Sequence, residues 1–385
     1  MQLPIYLDYA STTPVDPRVA EKMADCLTMG GVFANPASRS HVYGWQAEEQ
    51  VELARRHVAS LLACDPREIV WTSGATESNN LALKGIFESA EFAGGLVTST
   101  SEHKAIIDPA KWLSEKGVTV HWLEPGRDGV IDVEKVRLAI SDQVRLVSIM
   151  LVNNETGVIN PIAEIGKLCR EKGVLLHVDA SQAVGRVDID VSKLSVDLMS
   201  VSAHKFYGPK GVGALYVRRS IQSQLKPLIL GGGHERGMRS GTLATHQLAG
   251  MGEAARLIKE LEDVEADELA AKRDCLWAGI EDLPGVRRNG GSQNISPSHL
   301  NVCFSGVDGE TLLLALRELA VSSGSACTSA SLDPSYVLTA MGISDEDARR
   351  SIRISIGRFT SDDDVNHAVD HIRKIYTELN QTQSI

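Results

Sequence analysis

Short apolar runs rich in β-branched residues alternate with amphipathic helical patterns along most of the chain, and this alternation restricts the fold more than any other feature. Alternating strands and helices predict a mostly parallel sheet with helices on both faces. In such sheets, ligands bind beyond the carboxyl ends of the strands. The segments with the length and composition of strands are 68–73, 96–101, 118–123, 145–152, 175–180, 198–203 and 213–219, and the helical patterns between them include 47–63 and 162–173.

The pattern changes after Thr242. With 385 residues, the chain is longer than the roughly 250–300 residues over which one hydrophobic core keeps growing, so we expect two domains. The second region contains a long charged helix over 250–280, a strand over 299–306, a helix over 309–319 and a strand–helix pair over 351–379. We predict an α/β chain with a large domain over 15–260, built on a mostly parallel seven-stranded sheet, and a smaller α+β domain made of 1–14 and 261–385.

Composition argues against several classes of protein. The net charge of −11 is unfavourable for a general nucleic-acid-binding protein, because phosphate binding needs a positive surface. The first residues, MQLPIYLDYASTTP, lack the basic and apolar regions of a signal peptide, and the longest apolar run, 146–152, is too short to cross a bilayer. The six cysteines are widely spaced without a CxxC pair, which fits neither a disulfide framework nor an intrinsic metal site. We therefore predict a cytoplasmic protein that binds neither nucleic acid nor membrane.

Two charged residues stand at the carboxyl ends of predicted strands. Lys205 follows the strand 198–203, and Asp179 lies at the end of the strand 175–180. A desolvated lysine amine is a good nucleophile toward carbonyls, and a carboxylate at the end of a buried strand needs a cationic or donor partner. Together they are what pyridoxal phosphate requires, an amine for its aldehyde and a carboxylate for its pyridine nitrogen. An exposed loop lysine and a helix N-cap aspartate are the alternatives.

Residues that suit a phosphate group follow two of the predicted strands. In WTSGATESNN, residues 71–80, the backbone N–H groups of Ala75 and Thr76 start a helix after a glycine turn, where an anion is stabilised. Ser202 and His204 follow a second strand and offer further donors. The sequence therefore predicts a phosphate pocket beside the lysine.

Two further strand ends also carry polar side chains. His103 follows the strand 96–101, where an imidazole can stack on a ring or transfer protons. A structural role is the alternative for this histidine. Asn154 follows the strand 145–152. Five strand ends with polar residues predict one shared cleft.

Together these motifs resemble the pyridoxal-phosphate-dependent cysteine desulfurases of the IscS/NifS-like group. The resemblance implies the type I fold of pyridoxal-phosphate-dependent transferases, a homodimer, and conversion of L-cysteine to L-alanine with the sulfur passed to an acceptor protein. The matching motifs, which run in the family's order over nearly the whole chain, are YLDYASTTPVDPRV, TSGATESNN, SEHKAI, VNNETG, HVDASQAVG, SAHKFYGPKG, GGGHERGMRSGT, SSGSACTSAS and SIRISIGRFT.

The resemblance also implies roles for the matching residues. Lys205 would bind the cofactor covalently, Asp179 would pair with the pyridine nitrogen, and Gln182 would contact the ring hydroxyl. His103 would stack over the ring and assist proton transfer. Arg353 would hold the substrate carboxylate, as arginine does in bidentate pairs. The remaining implied contacts are Ala75, Thr76, Ser202, His204 and the partner subunit's Thr242 to the phosphate, and Asn154 to the cofactor and, with Arg353, to the substrate carboxylate.

Cys327 lies in VSSGSACTSASLDPS, residues 321–335, a run of small residues expected to form a flexible loop of the smaller domain. The resemblance implies that its thiolate attacks the substrate sulfur and carries that sulfur as a persulfide. The long loop resembles the type that delivers sulfur to a protein. An iron–sulfur scaffold or a tRNA-thiolation enzyme is the expected acceptor, and whether Cys327 also contacts a cluster transiently stays open.

The pathway and the reaction both have alternatives. The chain ends at IYTELNQTQSI, whereas family members that serve the general iron–sulfur scaffold extend further with a docking tail. A dedicated thiolation route such as DNA sulfur modification is therefore an alternative pathway. An aminotransferase or a selenocysteine lyase on the same fold, and a non-catalytic sulfur-transfer scaffold, are the alternatives to a cysteine desulfurase.

Overall fold

The structure is a computed structural model that describes residues 3–323 and 333–382. Within these ranges the strands form a seven-stranded, a three-stranded and a two-stranded sheet. The seven strands predicted between residues 68 and 219 are all present and form the largest sheet, while the strands predicted at 299–306 and at the start of 351–379 belong to the three-stranded sheet. The strands are β1 Ile5–Tyr6, β2 Ile69–Thr72, β3 Gly95–Ser99, β4 Thr119–Leu123, β5 Val144–Ser148, β6 Leu175–Asp179, β7 Leu198–Ser202, β8 Gly213–Val217, β9 Val286–Arg288, β10 His299–Phe304, β11 Leu319–Ala320 and β12 Ser351–Ser355.

The largest sheet has the strand order β2-β8-β7-β6-β5-β3-β4. Neighbouring strands are parallel except at β8, which runs antiparallel to both β7 and β2. The predicted mostly parallel sheet is therefore confirmed. The carboxyl ends of β2, β3, β5, β6 and β7 lie at one edge of this sheet. The chain that follows each of these five strands starts at that edge.

Helices cover both faces of the large sheet. Side chains alternate along β2, so that Ile69 and Trp71 pack into one hydrophobic core while Val70 packs into the other. Within the described ranges no helix is both long enough and apolar enough to span a bilayer. The helices are α1 Pro17–Ala24, α2 Val42–Leu62, α3 Ala75–Ser89, α4 Lys104–Glu115, α5 Val133–Ala139, α6 Ile162–Lys172, α7 Thr245–Ala278, α8 Gly309–Ala315, α9 Tyr336–Ala340, α10 Asp345–Arg349 and α11 Asp362–Thr382.

Each face has its own set of helices. Helices α1, α2, α6 and α7 contribute side chains to the core that contains Trp71. Helices α3 and α4 contribute to the core that contains Val70. His177 and Asp179 alternate with Leu176 and Val178, which lie in the Trp71 core, so these two polar side chains point toward the side of α3.

The three-stranded sheet is antiparallel, in the order β12-β10-β9, and has a third core against α11. Strand β1 pairs in parallel with β11, which brings residues 5–6 to residues 319–320. The helix predicted over 309–319 ends at Ala315, because the chain after it forms that short strand. Helix α7 runs without a break through residue 260, the predicted end of the large domain. The domain boundaries stay a prediction.

Gly213 begins β8 at the edge where the other strands end. A Cβ atom here would lie 2.5 Å from the Val201 carbonyl oxygen and 2.7 Å from the Gly74 Cα atom, neither of which is free to move aside. We expect Gly213→Ala to lower the free energy of unfolding by about 1–3 kcal/mol, measured by urea denaturation. Gly30→Ala is the control, because its Cβ would meet only the Thr28 Oγ1 atom, at 4.0 Å. Equal stability of the two variants would contradict this packing.

Candidate active site

A cavity of about 540 Å³ lies at the carboxyl-end edge of the large sheet. Residues 10–12 of the N-terminal segment and Tyr336 of α9 also line it. Thr242 does not line this cavity of its own chain, and Cys327 lies outside the described residues. The structure brings together the other residues that the sequence points to: Ala75, Thr76, His103, Asn154, Asp179, Gln182, Ser202, His204, Lys205 and Arg353.

Lys205 follows β7 in a short 3₁₀ turn, Ala203–Lys205. The side chain is half-buried, and its Nζ atom donates hydrogen bonds to the carbonyl oxygens of Ala10 and Ser11 at 2.6 and 2.8 Å. The Thr13 backbone N–H donates to the carbonyl oxygen of His204 at 2.9 Å, which fixes the N-terminal segment against the turn. The amine is therefore held in the cavity wall, not on the exposed surface of a loop.

Asp179 is the last residue of β6 and is buried, with 5% of its surface exposed. Its Oδ2 atom accepts a hydrogen bond from Asn79 Nδ2 at 2.7 Å, and Oδ1 accepts from the backbone N–H and the hydroxyl of Ser181. The Ser181 contacts are a capping interaction, so Asp179 caps the next turn and also lines the cavity. Among the residues that the structure describes, all of its hydrogen-bond donors are neutral.

His177 lies two residues before Asp179, on the same face of β6. Its Nδ1 atom lies 2.9 Å from Ser148 Oγ and its Nε2 atom 3.0 Å from Ser200 Oγ. Burial lowers the pKa of His177 to about 4, so the ring is neutral near neutral pH and supplies no positive charge to Asp179. A buried carboxylate with neutral donors favours a cationic ligand group in the cavity. A protonated pyridine nitrogen is such a group.

The amino end of α3 lies at another part of the cavity wall. Its N-cap is Gly74, which has no side chain that could accept hydrogen bonds from the first turn. The backbone N–H groups of that turn can therefore bind an anion. A Cβ atom at Gly74 would lie 3.6 Å from Ser202 Oγ, so a glycine keeps the space between turn and serine open. His204 also lines this part, with Nδ1 3.1 Å from Thr12 Oγ1. These groups suit a phosphate.

His103 is the N-cap residue of α4, and its Nδ1 atom accepts a hydrogen bond from the Ala105 backbone N–H at 3.1 Å. An acceptor nitrogen carries no proton, so the proton of the neutral ring is on Nε2. The preceding residue, Glu102, is fully buried and accepts a hydrogen bond from the Met150 N–H at 2.8 Å. Burial raises the pKa of Glu102 well above its ordinary value, which favours its neutral form.

Arg353 stands on β12 and reaches the cavity from the smaller sheet. Its Nη2 atom donates to Asp8 Oδ1 at 2.8 Å and to Ser11 Oγ at 2.7 Å, and Nη1 donates to the Asn154 carbonyl oxygen at 2.9 Å. Arg353 Nε and Asn154 Oδ1 are buried and have no hydrogen-bond partner within the described ranges. Arg353 therefore brings a guanidinium into the cavity wall, and such a group suits a ligand that carries a carboxylate.

Sequence reasoning missed the contributions of Asn79, Asp8 and the carbonyl groups of Ala10 and Ser11. Asn79 had a signal, because it lies about one turn beyond the start of the helix after TSGAT. No sequence pattern indicated the contacts made by Asp8, Ala10 and Ser11. The Lys205 amine meets the Ala10 carbonyl across 195 residues of sequence, and no local pattern encodes that contact.

Residues 5–367 match the family model described as Aminotransferase class-V. Cysteine desulfurase IscS of Proteus mirabilis is 57% identical over 380 residues, which are 98% of this chain and 94% of that protein. The chain belongs to the cysteine desulfurases of the aminotransferase class-V family.

Solved structures agree with this assignment. A NifS-like protein gives a TM-score of 0.91 at 35% identity and covers 98% of this chain and 100% of its own. A structure described as SspA in complex with cysteine gives a TM-score of 0.82 at 39% identity, covering 92% and 99%. The family, the fold and the enzyme class that the sequence predicts are confirmed, and a cysteine desulfurase of this family depends on pyridoxal phosphate.

The desulfurase should lose stability in acid partly through His204. Burial and the nearby Lys205 and Lys210 lower the pKa of His204 from 6.5 to about 4. As the pH falls from 6.5 to 4, the unfolded chain takes up a proton that the folded chain does not, so stability falls over this window. In the cofactor-free enzyme we expect His204→Asn to make this loss smaller, measured by urea denaturation at a series of pH values. The same pH dependence in both proteins would rule out a neutral, buried His204.

Proposed function

We propose that this cysteine desulfurase uses pyridoxal 5′-phosphate, bound in the cavity at the carboxyl-end edge, to move sulfur from L-cysteine to the thiol of Cys327. The electron pair of the Cys327 thiolate forms the new sulfur–sulfur bond. The pair of the broken carbon–sulfur bond stays on the substrate's β-carbon, which takes up the proton that the thiol released. The products are L-alanine and a Cys327 persulfide, and the outer sulfur then passes to a thiol of an acceptor protein.

The observation that carries this proposal is a half-buried lysine amine and a buried carboxylate with neutral donors in the wall of one cavity. When bound, pyridoxal phosphate supplies a protonated ring that takes up the electron pair left after an α-proton is removed. The residues that would hold it are Lys205 at the aldehyde, Asp179 and Gln182 at the ring, His103 over the ring, Asn154 beside it, and Ala75, Thr76, Ser202 and His204 at the phosphate.

Two atoms of the chain would move protons. Lys205 Nζ, once free of the cofactor, would accept the α-proton, and the carbonyl oxygens of Ala10 and Ser11 orient it. His103 Nε2 is the second, since the Ala105 N–H occupies the other ring nitrogen. Asp179 would keep the ring nitrogen protonated.

The substrate assignment rests on Arg353 and Asn154. Arg353 would bind the carboxylate of L-cysteine, because a guanidinium binds carboxylates through paired hydrogen bonds. Asn154 lines the same cavity and would help to hold that carboxylate through its side-chain amide N–H groups. The structure of SspA in complex with cysteine supports cysteine as the amino acid.

A homodimer would complete the site. Thr242 precedes α7 and does not line the cavity of its own chain, which supports a contact with the phosphate in the partner subunit. Several large apolar side chains are strongly exposed in the single chain, among them Met29, Trp45 and Leu230, at 76%, 55% and 81%. A second copy would remove such surface from water.

The similarity to IscS supports an acceptor in iron–sulfur cluster assembly or tRNA thiolation, in the cytoplasm. Labelled sulfur from cysteine, offered to a purified iron–sulfur scaffold and to a tRNA-thiolation protein, would show which one takes it. Labelling of neither protein would favour a dedicated thiolation pathway.

The Cys327→Ala variant distinguishes a cysteine desulfurase from another enzyme on this fold and from a non-catalytic protein. We expect this variant to keep the visible absorbance of the bound cofactor and to lose alanine formation from L-cysteine, because the thiol that takes the sulfur is gone. Cys275→Ala removes an exposed thiol and is the matched control, with activity like the wild type. Full turnover by Cys327→Ala would favour another reaction on this fold, and a purified wild-type protein without visible absorbance would favour a non-catalytic role.

A further inference from the structure

A second cavity, of about 320 Å³, lies between α7, the end of α2 and the chain that follows β6. It shares no lining residue with the active-site cavity. Its wall is amphipathic, since a guanidinium and a carboxylate stand among apolar side chains. The residues that matter here are Arg186, Glu265, Leu61, Val184, Ile189 and Ile258.

Arg186 is a buried cation with little compensation. Only 7% of its surface is exposed. Among the side chains that the structure describes, which exclude those of residues 262 and 263, its hydrogen bond runs from Nη1 to the Gln182 carbonyl oxygen, at 3.2 Å, and no carboxylate forms an ion pair with it. Burial lowers the pKa of Arg186, yet a guanidinium stays charged in proteins. The cavity wall therefore holds a positive charge whose hydrogen-bonding capacity is mostly unused.

The buried carboxylate of the cavity wall is already paired with another arginine. Glu265 accepts two hydrogen bonds from Arg358, at 2.9 and 2.8 Å. Arg358 also donates to Asp16 at 2.8 Å, and Asp16 is bound in turn by Arg18 at 2.9 Å. Of the two carboxylates that line the cavity, Glu265 is therefore already paired, and Asp188 is exposed to water. Neither accepts a hydrogen bond from Arg186.

We propose that this second cavity binds a small aliphatic monocarboxylate, with the carboxylate on Arg186 and the hydrocarbon part against the apolar wall. A guanidinium binds a carboxylate through two parallel hydrogen bonds, which matches its unused donors. The volume lies at the small end of the roughly 300–1,000 Å³ of ligand cavities. Asp188 also lines the cavity, but it is exposed to water, and its negative charge disfavours a ligand with a second carboxylate.

The ligand would lie close to the active site but would not depend on its chemistry. Gln182, whose carbonyl oxygen accepts from Arg186, donates through Nε2 to the Ala10 carbonyl oxygen at 2.8 Å. The same oxygen accepts from Lys205. A measurement of ligand binding therefore tests this second cavity independently of the reaction in the active-site cavity.

Binding of butyrate to the holoenzyme tests the proposal, by isothermal titration calorimetry or ligand-observed NMR. Butyramide has the same shape without the charge, and sulfate has the charge without the hydrocarbon part, so both should bind more weakly than butyrate. We expect Arg186→Gln to weaken butyrate binding by roughly tenfold or more. Arg353→Gln is the matched control, because it removes the arginine proposed to bind a carboxylate in the active site, and it should keep the butyrate binding that Arg186→Gln loses.

A second variant tests the cavity in case Arg186→Gln loses binding only because the protein unfolds. Ala266→Met keeps the arginine and fills the cavity from α7, and it should also abolish butyrate binding while the protein stays folded. The proposal is overturned if the wild type does not bind butyrate, if butyramide or sulfate binds as well, or if Arg353→Gln and not Arg186→Gln removes binding. Undiminished binding by Ala266→Met would overturn it too.

Discussion

A buried carboxylate that has only neutral donors organises the active site. Asp179 is held by Asn79 and Ser181 and lies above a histidine that burial keeps neutral. Such a carboxylate is costly until a cation reaches it. The pyridinium ring of the proposed cofactor would meet this need, and the parallel sheet places Lys205 just after the adjacent strand, at the same edge. The proposed cofactor site therefore depends on the charge at the end of one strand.

The N-terminal segment connects the two sheets at this point. The Ala10 and Ser11 carbonyl oxygens hold the lysine amine, while the Ser11 hydroxyl and Asp8 hold Arg353 of the smaller sheet. One short segment thus contacts the group proposed to bind the cofactor and the group proposed to bind the substrate carboxylate. A movement of the smaller sheet relative to the larger one would therefore shift both the Lys205 amine and the Arg353 guanidinium through this segment.

The sequence predicts the large sheet well, because buried strands and amphipathic helices leave a periodic pattern. It also points to ten residues that line one cavity, because polar side chains after apolar strands and the motifs around them are conspicuous. It did not predict that β8 runs antiparallel, or that Ile5–Tyr6 pairs with Leu319–Ala320. Two-residue strands have no periodicity, and their partners are far apart in sequence. The Asn79–Asp179 hydrogen bond spans 100 residues and appears only once the sheet and α3 are packed together.

The attachment point of the cofactor is the most direct test of this account. Lys205 and Lys210 both line the cavity, but only Lys205 is held by the Ala10 and Ser11 carbonyl oxygens. Borohydride reduction of the purified protein, followed by proteolysis and mass spectrometry, would fix the cofactor on the lysine that carries it. The account predicts a pyridoxyl group on Lys205 and an unmodified Lys210. A pyridoxyl group on Lys210, or on neither lysine, would contradict it.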